Sequence, residues 1–290
     1  MNRIRVLRPD VAQKIAAGEV IERPVSVVKE LVENAIDAGA NEISVDLLAG
    51  GKSLIRVRDD GQGMSRPDAE AAFIRHSTSK IETEDDLLSI ATLGFRGEAL
   101  PSISAVSRLT LRTSEGGVEP GTAVECEAGN ILSIADIAAP RGTAVEVREL
   151  FFNLPARLKF LKSDTAELTP IAAYLTNVAL AYPGLRIAAA HGGRKFVDCP
   201  PVGSLRERIY QLFGKDALER LMEVDHAESA GRVRGFASAP PLGRTDRRRQ
   251  LFFVNRRPVK DKTIGAALQQ AYRGILEKDL SPEAYLFFEV

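Results

Sequence analysis

Cysteine and histidine are scarce in this 290-residue chain, with only Cys126, Cys199, His76, His191 and His226. The two cysteines form no Cys-x-x-Cys pair. So few soft ligands give no basis for a zinc site, and the thiols read as reduced and mostly buried in a cytosolic protein. No run of 18 apolar residues occurs, so no segment reads as a membrane span. The start, MNRIRVLRPD, is charged and lacks the apolar stretch of a secretory signal. Repeats and low-complexity stretches are absent. So are the Gly-x-Ser-x-Gly elbow and the His-Glu-x-x-His helix. AGGKS at 49–53 resembles the tail of a P-loop. However, Asp46 stands where that motif needs its first glycine, and the segment lies in a hairpin turn rather than between a strand and a helix.

Net charge is missing too, with 39 Lys and Arg against 39 Asp and Glu. The balance is uneven along the chain. Arg244–Lys262 carries eight basic and two acidic residues, +6 in one segment, which leaves −6 elsewhere. A neutral total therefore does not exclude an anionic partner. The 44% apolar content can build cores, and chains of this length usually divide into two packed units. CPPVGS at 199–204 is the best boundary, giving domains 1–200 and 201–290.

Residues 9–17 read as a short helix after an N-terminal arm. Pro24 opens a stronger one, PVSVVKELVENAIDAGA, closed by Gly39 as a left-handed cap. ISVDLL and SLIRVRD alternate at period two around Gly50-Gly51, which predicts a hairpin. Short helices follow around PDAEAAFIR and EDDLLSIA, then the loop LGFRGEALPS leading into another helix. Four strand-like segments run from Arg108 to Val147, and DTAELTPIAAYLTNVALAY is a long helix. Beyond the boundary come the helix SLRERIYQLF, strands at GRVRGFAS and QLFFVN, the helix KTIGAALQQAYRGILEK and a last strand, AYLFFEV. The fold class is α+β: a mixed sheet with helices on one face, then a smaller α+β domain whose basic loop joins two strands.

Three elements carry chemistry. On the Pro24 helix, Val27, Val28, Leu31, Val32, Ala35 and Ile36 form one face, and Glu30, Glu33, Asn34 and Asp37 the other. That arc is either a solvated stripe or a base and a cation ligand one turn apart, with Glu30 activating water and Asn34 offering a neutral oxygen. In RVRDDGQGM, parity puts Asp59 on the face of Ile55 and Val57, with Asp60 opposite. An inward carboxylate needs donors, which a base amine could supply, and Gly61 and Gly63 would let backbone approach a flat ring. An Asx turn accounts for the same residues. In GFRGEAL, two glycines before a helix start would expose N–H groups to a phosphate, with Arg96 and the upstream STSK (Ser77–Lys80) adding charge and hydroxyls. A flexible loop with an ordinary cap is the alternative.

In this order, IAAGEVIERPVSVVKELVENAIDAGA, DDGQGM, RHSTSKI, LGFRGEALPSISAVSRL and FFNLPARLKFL resemble the MutL family of DNA mismatch-repair proteins. That family belongs to the ATPase group of gyrase B subunits, ninety-kilodalton heat-shock chaperones and sensor histidine kinases. The likeness covers the whole chain, is tightest over residues 13–161, and loosens where VNRRPVKDK departs from the commoner VNGR form. A second reading makes the chain primarily a binding module in which hydrolysis only resets a conformational switch. A type II topoisomerase ATPase domain is the third, and the GFRGEAL and NLPAR forms, which gyrase-type sequences lack, argue against it. No phospho-accepting histidine helix precedes the motifs, which sets a kinase further back.

The resemblance implies roles residue by residue. Glu30 would orient the attacking water, Asn34 would bind Mg2+, and Asp59 would accept the adenine amine with Thr143 supporting it. Ala38, Gly63 and Met64 would line the base, and Thr78, Ser79, Lys80, Gly94, Phe95, Arg96, Gly97, Glu98, Ala99 and Leu100 would form the lid and phosphate loop. Lys262 would reach the γ-phosphate of ATP. The implied activity is slow Mg2+-dependent ATP hydrolysis that brings two N-terminal domains together, the arm Met1–Glu19 packing across the partner. The basic segment would hold DNA without sequence preference. A mismatch-recognition protein and a downstream nuclease or helicase are the implied partners, in a bacterial-type, nucleoid-associated cytoplasmic setting. Ending at AYLFFEV, before the family's usual Asn-Val-His-Pro segment, the chain reads as an N-terminal piece lacking a C-terminal dimerisation domain.

Overall fold

The computed structural model describes residues 8–80, 92–94, 97–229 and 231–290. The arm before Arg8, the helix expected around EDDLLSIA, and Phe95 with Arg96 lie outside the described residues. The chain divides into two compact units, Met1–Tyr174 with Leu185–Pro200, and Leu175–Gly184 with Pro201–Val290.

In the first unit α1 (Pro9–Val20) and α2 (Pro24–Asp37) precede the hairpin β1 (Glu42–Leu48) and β2 (Leu54–Asp59). Then come α3 (Arg66–Ala71), α4 (Ala99–Ala105), β3 (Arg108–Ser114), β4 (Gly121–Glu127), β5 (Asn130–Ile137) and β6 (Gly142–Arg148). The short α5 (Pro155–Phe160), the first part of the long α6 (Asp164–Ala181), whose residues from Leu175 on belong to the second unit, and the hairpin β7 (Arg186–His191) and β8 (Arg194–Cys199) complete it. Among the described residues the strands form one eight-stranded mixed sheet, ordered β5-β4-β3-β6-β2-β1-β7-β8. Only β1 and β7 run parallel in it. The β7–β8 hairpin is absent from the sequence expectations. Its run of alanines carries no clear period-two signal, and a parallel pairing across 144 residues leaves no local trace.

One face of the sheet is apolar and covered. Ile55 and Val57 lie in register with Val147 and Val145, and these with Leu109 and Leu111, all buried. Arg56 and Arg58 alternate onto the other face beside Glu146 and Ala144. Helix α2 buries Val27, Val28, Leu31, Val32 and Ala35, while Ile36 stays half-buried. Its N-cap Arg23 makes no side-chain cap bond. Packing therefore places the helix, since each buried Val or Leu contributes about 1.5–3 kcal/mol and a cap about 1 kcal/mol. Arg23 instead reaches Glu167, which is fully buried near the start of α6, through Nε at 3.1 Å and Nη2 at 2.9 Å. This pair ties the entry of α2 to α6. At the exit Ala38 caps the helix and Gly39 takes φ +71°, as expected.

The second unit adds α7 (Leu205–Phe213), α8 (Lys215–Glu219), β9 (Leu221–Glu228), β10 (Gly231–Ser238), β11 (Gln250–Val254), β12 (Arg257–Val259), α9 (Lys262–Ala271) and β13 (Ala284–Glu289). Its sheet, ordered β12-β11-β13-β10-β9, carries a core on each face. Phe253, Tyr285 and Phe287 pack with Leu180 and Ile209 on one side, and Phe252, Ala284 and Leu286 with Leu268 and Tyr272 on the other. Burial on both faces explains why AYLFF is a continuous apolar run and not an alternating one. The last helix is shorter than expected, ending at Ala271, with Gly274 at φ +79° beyond it. Cys126 and Cys199 are buried and form no disulfide. Among the described residues no helix is long and apolar enough to cross a membrane.

Candidate active site

The residues singled out in the first unit gather at two places, linked by α2 and the turn that follows it. At the first, Asp59 ends β2, in register with Thr143 of β6, and Thr143 with Thr113 of β3. Asp59 is half-buried and accepts from the Gly61 N–H at 2.9 Å. Burial pushes its carboxyl above the ordinary value, and the N–H groups of Gly61 and Thr143 pull it only part of the way back. Asp60 is exposed and faces elsewhere, accepting the N–H groups of Asn41 at 2.7 Å and Glu42 at 2.8 Å. The parity argument thus separates the two aspartates correctly.

Two glycines are sterically required here. A Cβ on Gly142, at φ +118°, would stand 2.1 Å from the Asp59 carbonyl oxygen. One on Gly63, at φ +73°, would stand 2.0 Å from that of Ser114. Gln62 N–H donates to the Ala38 carbonyl at 3.0 Å, which seats the Gly61–Gly63 loop on the end of α2. Thr113 completes the arrangement, and no sequence signal pointed to it. Its hydroxyl donates to the Gly142 carbonyl at 3.2 Å, accepts the Met64 N–H at 3.0 Å, and lies 3.0 Å from the Thr143 hydroxyl. With the Thr113 proton committed, Thr143 is the donor of that pair, and its own oxygen keeps acceptor capacity beside the Asp59 carboxylate. Two acceptors side by side call for a donor.

At the second place, one turn-spaced row of α2 meets the chain around Lys80 and Gly94. Lys80 Nζ lies 2.6 Å from Asp37 Oδ2 and 3.1 Å from Asn34 Oδ1. Asp37 also accepts the N–H groups of Leu93 at 2.8 Å and Gly94 at 3.0 Å. A Cβ on Gly94 would lie 3.5 Å from both Asn34 Oδ1 and Lys80 Nζ, so Gly94 passes directly over the pair. Glu30 is half-buried one turn before Asn34, and Glu33 lies 3.9 Å from Lys29. Thr78 Oγ1 accepts the Lys80 N–H at 3.2 Å, with Ser79 between them. Gly97 accepts from His76 N–H at 3.2 Å, and Glu98 precedes Ala99 and Leu100 at the start of α4.

One expectation needs correcting. The Gly94 N–H is not free for a phosphate, because the nearest anion, Asp37, already takes it. Asp37 is thus an organising residue that sequence reasoning left as a bystander. The i+3 spacing from Asn34 was the available signal, whereas its partners lie 43 and 56 residues away.

A cavity of about 420 Å3 borders Asp59, Gly142 and Thr143 but is otherwise lined by Arg56, Arg58, Arg112, Glu146 and the Ile137–Arg141 connection. It includes none of Glu30, Asn34 and Lys80, so it is not the cluster described above. Among the described residues no group of three or more His, Cys, Asp or Glu side chains is placed to hold a metal. In the second unit Lys262 is exposed at the start of α9, behind the Asp261 cap. The basic segment there is divided. Arg249 donates to buried Glu283 at 3.0 Å and stacks 4.5 Å from the Phe213 ring centre, and Arg244 lies 3.8 Å from the same carboxylate. Arg247 and Arg248 are exposed. Asn255 and Arg256 turn from β11 into β12 with φ of +46° and +65°, Arg256 taking a left-handed conformation that glycine adopts more easily.

Residues 22–130 match the family model for histidine kinase-, DNA gyrase B- and HSP90-like ATPases, and residues 209–290 that for the C-terminal domain of DNA mismatch repair proteins. A solved ATPase domain of Aquifex aeolicus MutL, complexed with ADP, is 32% identical with a TM-score of 0.69, over 93% of both chains. This chain belongs to the MutL family. The DNA mismatch repair protein MutL of Acidobacterium capsulatum is 45% identical over all of this chain and 47% of its own length, and that of Geobacter sulfurreducens 47% identical over 100% and 48%. A crystal structure of the N-terminal domain of a DNA repair protein is 28% identical with a TM-score of 0.81, over 96% of this chain and 86% of that one. The chain spans about half the length of the MutL proteins it matches. The MutL likeness runs through both places described above and into the second unit.

Proposed function

We propose that this chain binds ATP between Asp59 and the Asn34–Lys80–Gly94 cluster, hydrolyses it slowly with Mg2+, and uses the nucleotide to bring two N-terminal domains together in DNA mismatch repair. The observation that carries this reading is the pairing of two unlike ends on α2. One end offers acceptors for a base amine, and the other gathers a neutral oxygen and an ammonium suited to a metal-bound phosphate chain. The ADP held by the Aquifex aeolicus MutL domain supports it.

The residues present fit a magnesium ion. Asn34 Oδ1 already faces a cation, the Lys80 ammonium at 3.1 Å. The lack of an all-protein cage among the described residues suits an ion that keeps waters and shares phosphate oxygens. When bound, the ion neutralises charge across the phosphates. Asn34 would hold it, Glu30 would orient and deprotonate the attacking water, and Asp59 with Thr143 would fix the base. Lys80 would add positive charge at the phosphates, with Gly97 just before α4. Lys262 is the second domain's candidate for phosphate contact. Residues 1–200 would then bind nucleotide, and 201–290 would contribute Lys262 and the basic loop.

For DNA, the exposed Arg247, Arg248, Arg256, Arg257 and Lys260 suit backbone contact without sequence preference. A mismatch-recognition protein upstream and a nuclease or helicase downstream complete the reading, in the cytoplasm at the nucleoid. The test is to size the chain with magnesium and a non-hydrolysable ATP analogue while measuring binding. A shift from monomer to dimer that needs both is expected, and the absence of any analogue binding would sink the proposal.

A further inference from the structure

One carboxylate gathers Lys80, Leu93 and Gly94. Asp37, with its side chain 6% exposed, takes the Lys80 ammonium at 2.6 Å on Oδ2, the Leu93 N–H at 2.8 Å on Oδ1 and the Gly94 N–H at 3.0 Å on Oδ2. These donors come from two separated points of the chain and meet at the last residue of α2. Three donors on one nearly covered carboxylate, one of them charged, are a strong anchor for its size. The anchor also sets direction. It holds Lys80 Nζ 3.1 Å from Asn34 Oδ1, and it sets Gly94 where even a Cβ would only touch Asn34 and Lys80 at 3.5 Å.

We propose that Asp37 is a positioning residue for the phosphate end of the site. It holds Lys80 and Gly94 so that the ammonium and the Gly94 backbone already stand against Asn34 before nucleotide arrives. This rests on the nucleotide reading above and extends it, because it separates recognition of the base from recognition of the phosphates. Removing Asp37 leaves Asp59 and Thr143 untouched but lets Lys80 and Gly94 leave their places. A purely structural role would instead weaken both ends together.

The test uses the full 290-residue chain. Affinity for a magnesium-loaded, non-hydrolysable ATP analogue and for adenosine, read by competition, is measured in the parent, Asp37→Asn, Lys80→Met and the double variant. Asp37→Asn and Lys80→Met should each weaken the analogue roughly tenfold or more, the usual effect of losing a charge-assisted hydrogen bond. Adenosine should stay unchanged, and the double variant should be little worse than either single one, since both remove the same ion pair. Amide hydrogen exchange at Leu93 and Gly94 provides a readout that needs no nucleotide: faster in Asp37→Asn, as in the parent for Lys80→Met. Parental analogue affinity in Asp37→Asn, equal losses for adenosine and analogue, or full additivity would each overturn the proposal. If Asp37→Asn does not fold, unprotected Leu93 and Gly94 amides in the parent would overturn it, and protected ones would support it. A parent that binds no analogue would bring down the nucleotide reading itself, whatever the exchange data show.

Discussion

The two ends of the proposed nucleotide site, named for the base and the phosphates they would hold, are built by different means. The base end is set in regular structure: Asp59 and Thr143 sit in register on neighbouring strands, Thr113 locks the third, and Gly142 fills space that admits no side chain. The phosphate end is one helix row, Glu30, Asn34 and Asp37, meeting loop residues through a single carboxylate. A strand-built end cannot shift without disturbing the sheet, whereas an end held by one ion pair and two backbone bonds can be released and reformed. That contrast suits a site whose base contacts are constant and whose phosphate contacts change with the nucleotide.

The sharpest way to break the comparison lies within the phosphate end. Glu30→Ala should leave affinity for ATP close to the parent's while single-turnover hydrolysis falls by ~10²–10⁴, the usual contribution of a general base. Asn34→Ala should instead lose the magnesium-dependent part of binding. A Glu30→Ala protein hydrolysing at the parental rate would remove Glu30 from the chemistry. Asp37→Ala acts differently from both, since it strips Lys80 and Gly94 of their anchor.

Next in size is a glycine swap across the two ends. Gly142→Ala forces a side chain into a left-handed conformation, at about 1–3 kcal/mol, before its clash with the Asp59 carbonyl is counted. Gly94→Ala meets only ordinary neighbours at 3.5 Å. Thermal denaturation should therefore show a clear drop for the first and none for the second. Equal drops would mean that the phosphate end is as rigidly built as the base end.

Asp59→Ala should cost about 1–3 kcal/mol of nucleotide affinity, the penalty of leaving a buried donor unpaired. Asp60→Ala should leave affinity alone and cost about 1 kcal/mol of stability, because the Asn41 and Glu42 N–H groups lose their acceptor. Titrating a fluorescent ATP analogue into both proteins, beside urea melts, separates the two effects.

The pH dependence sharpens the same point. Burial raises the folded-state pKa of Asp59 above its unfolded value. Between those values the folded state binds more protons, so the stability contribution improves as pH falls through the window, and charged Asp59 costs stability above it. The stability difference between Asp59→Asn and the parent should move in the variant's favour as pH rises through the window. A difference that stays flat would show that Asp59 is as well satisfied as a surface carboxylate.

The smallest effect is expected furthest from either end. Arg247→Ala with Arg248→Ala should lower the slope of log DNA affinity against log salt by roughly one for each phosphate no longer neutralised. Arg249 does not belong in that set, since its guanidinium is spent on Glu283 and Phe213 and its removal would report on folding.

What could be read without a structure was local and periodic. The apolar face of α2 needs only the 3.6-residue repeat, and the inward aspect of Asp59 needs only strand parity. The β1–β2 hairpin and the capping of α2 by Gly39 follow from turn chemistry, and the motif set that resembles MutL is itself a string of short segments. What escaped was set by distance along the chain. The parallel pairing of β1 with β7 joins residues about 140 positions apart through backbone groups that every residue carries. Thr113 becomes part of the base end only because β3 lies beside β6 in the sheet. Among the basic residues of Arg244–Lys262, charge alone could not sort Arg249 from Arg247. A buried carboxylate 34 residues away did. By itself the sequence determined which residues lie on which face of each helix and strand, because that periodicity is a property of the backbone. Only the tertiary structure decided which faces meet, and so turned Asp37 from one more charge on a polar stripe into the point where α2, Lys80 and Gly94 are joined.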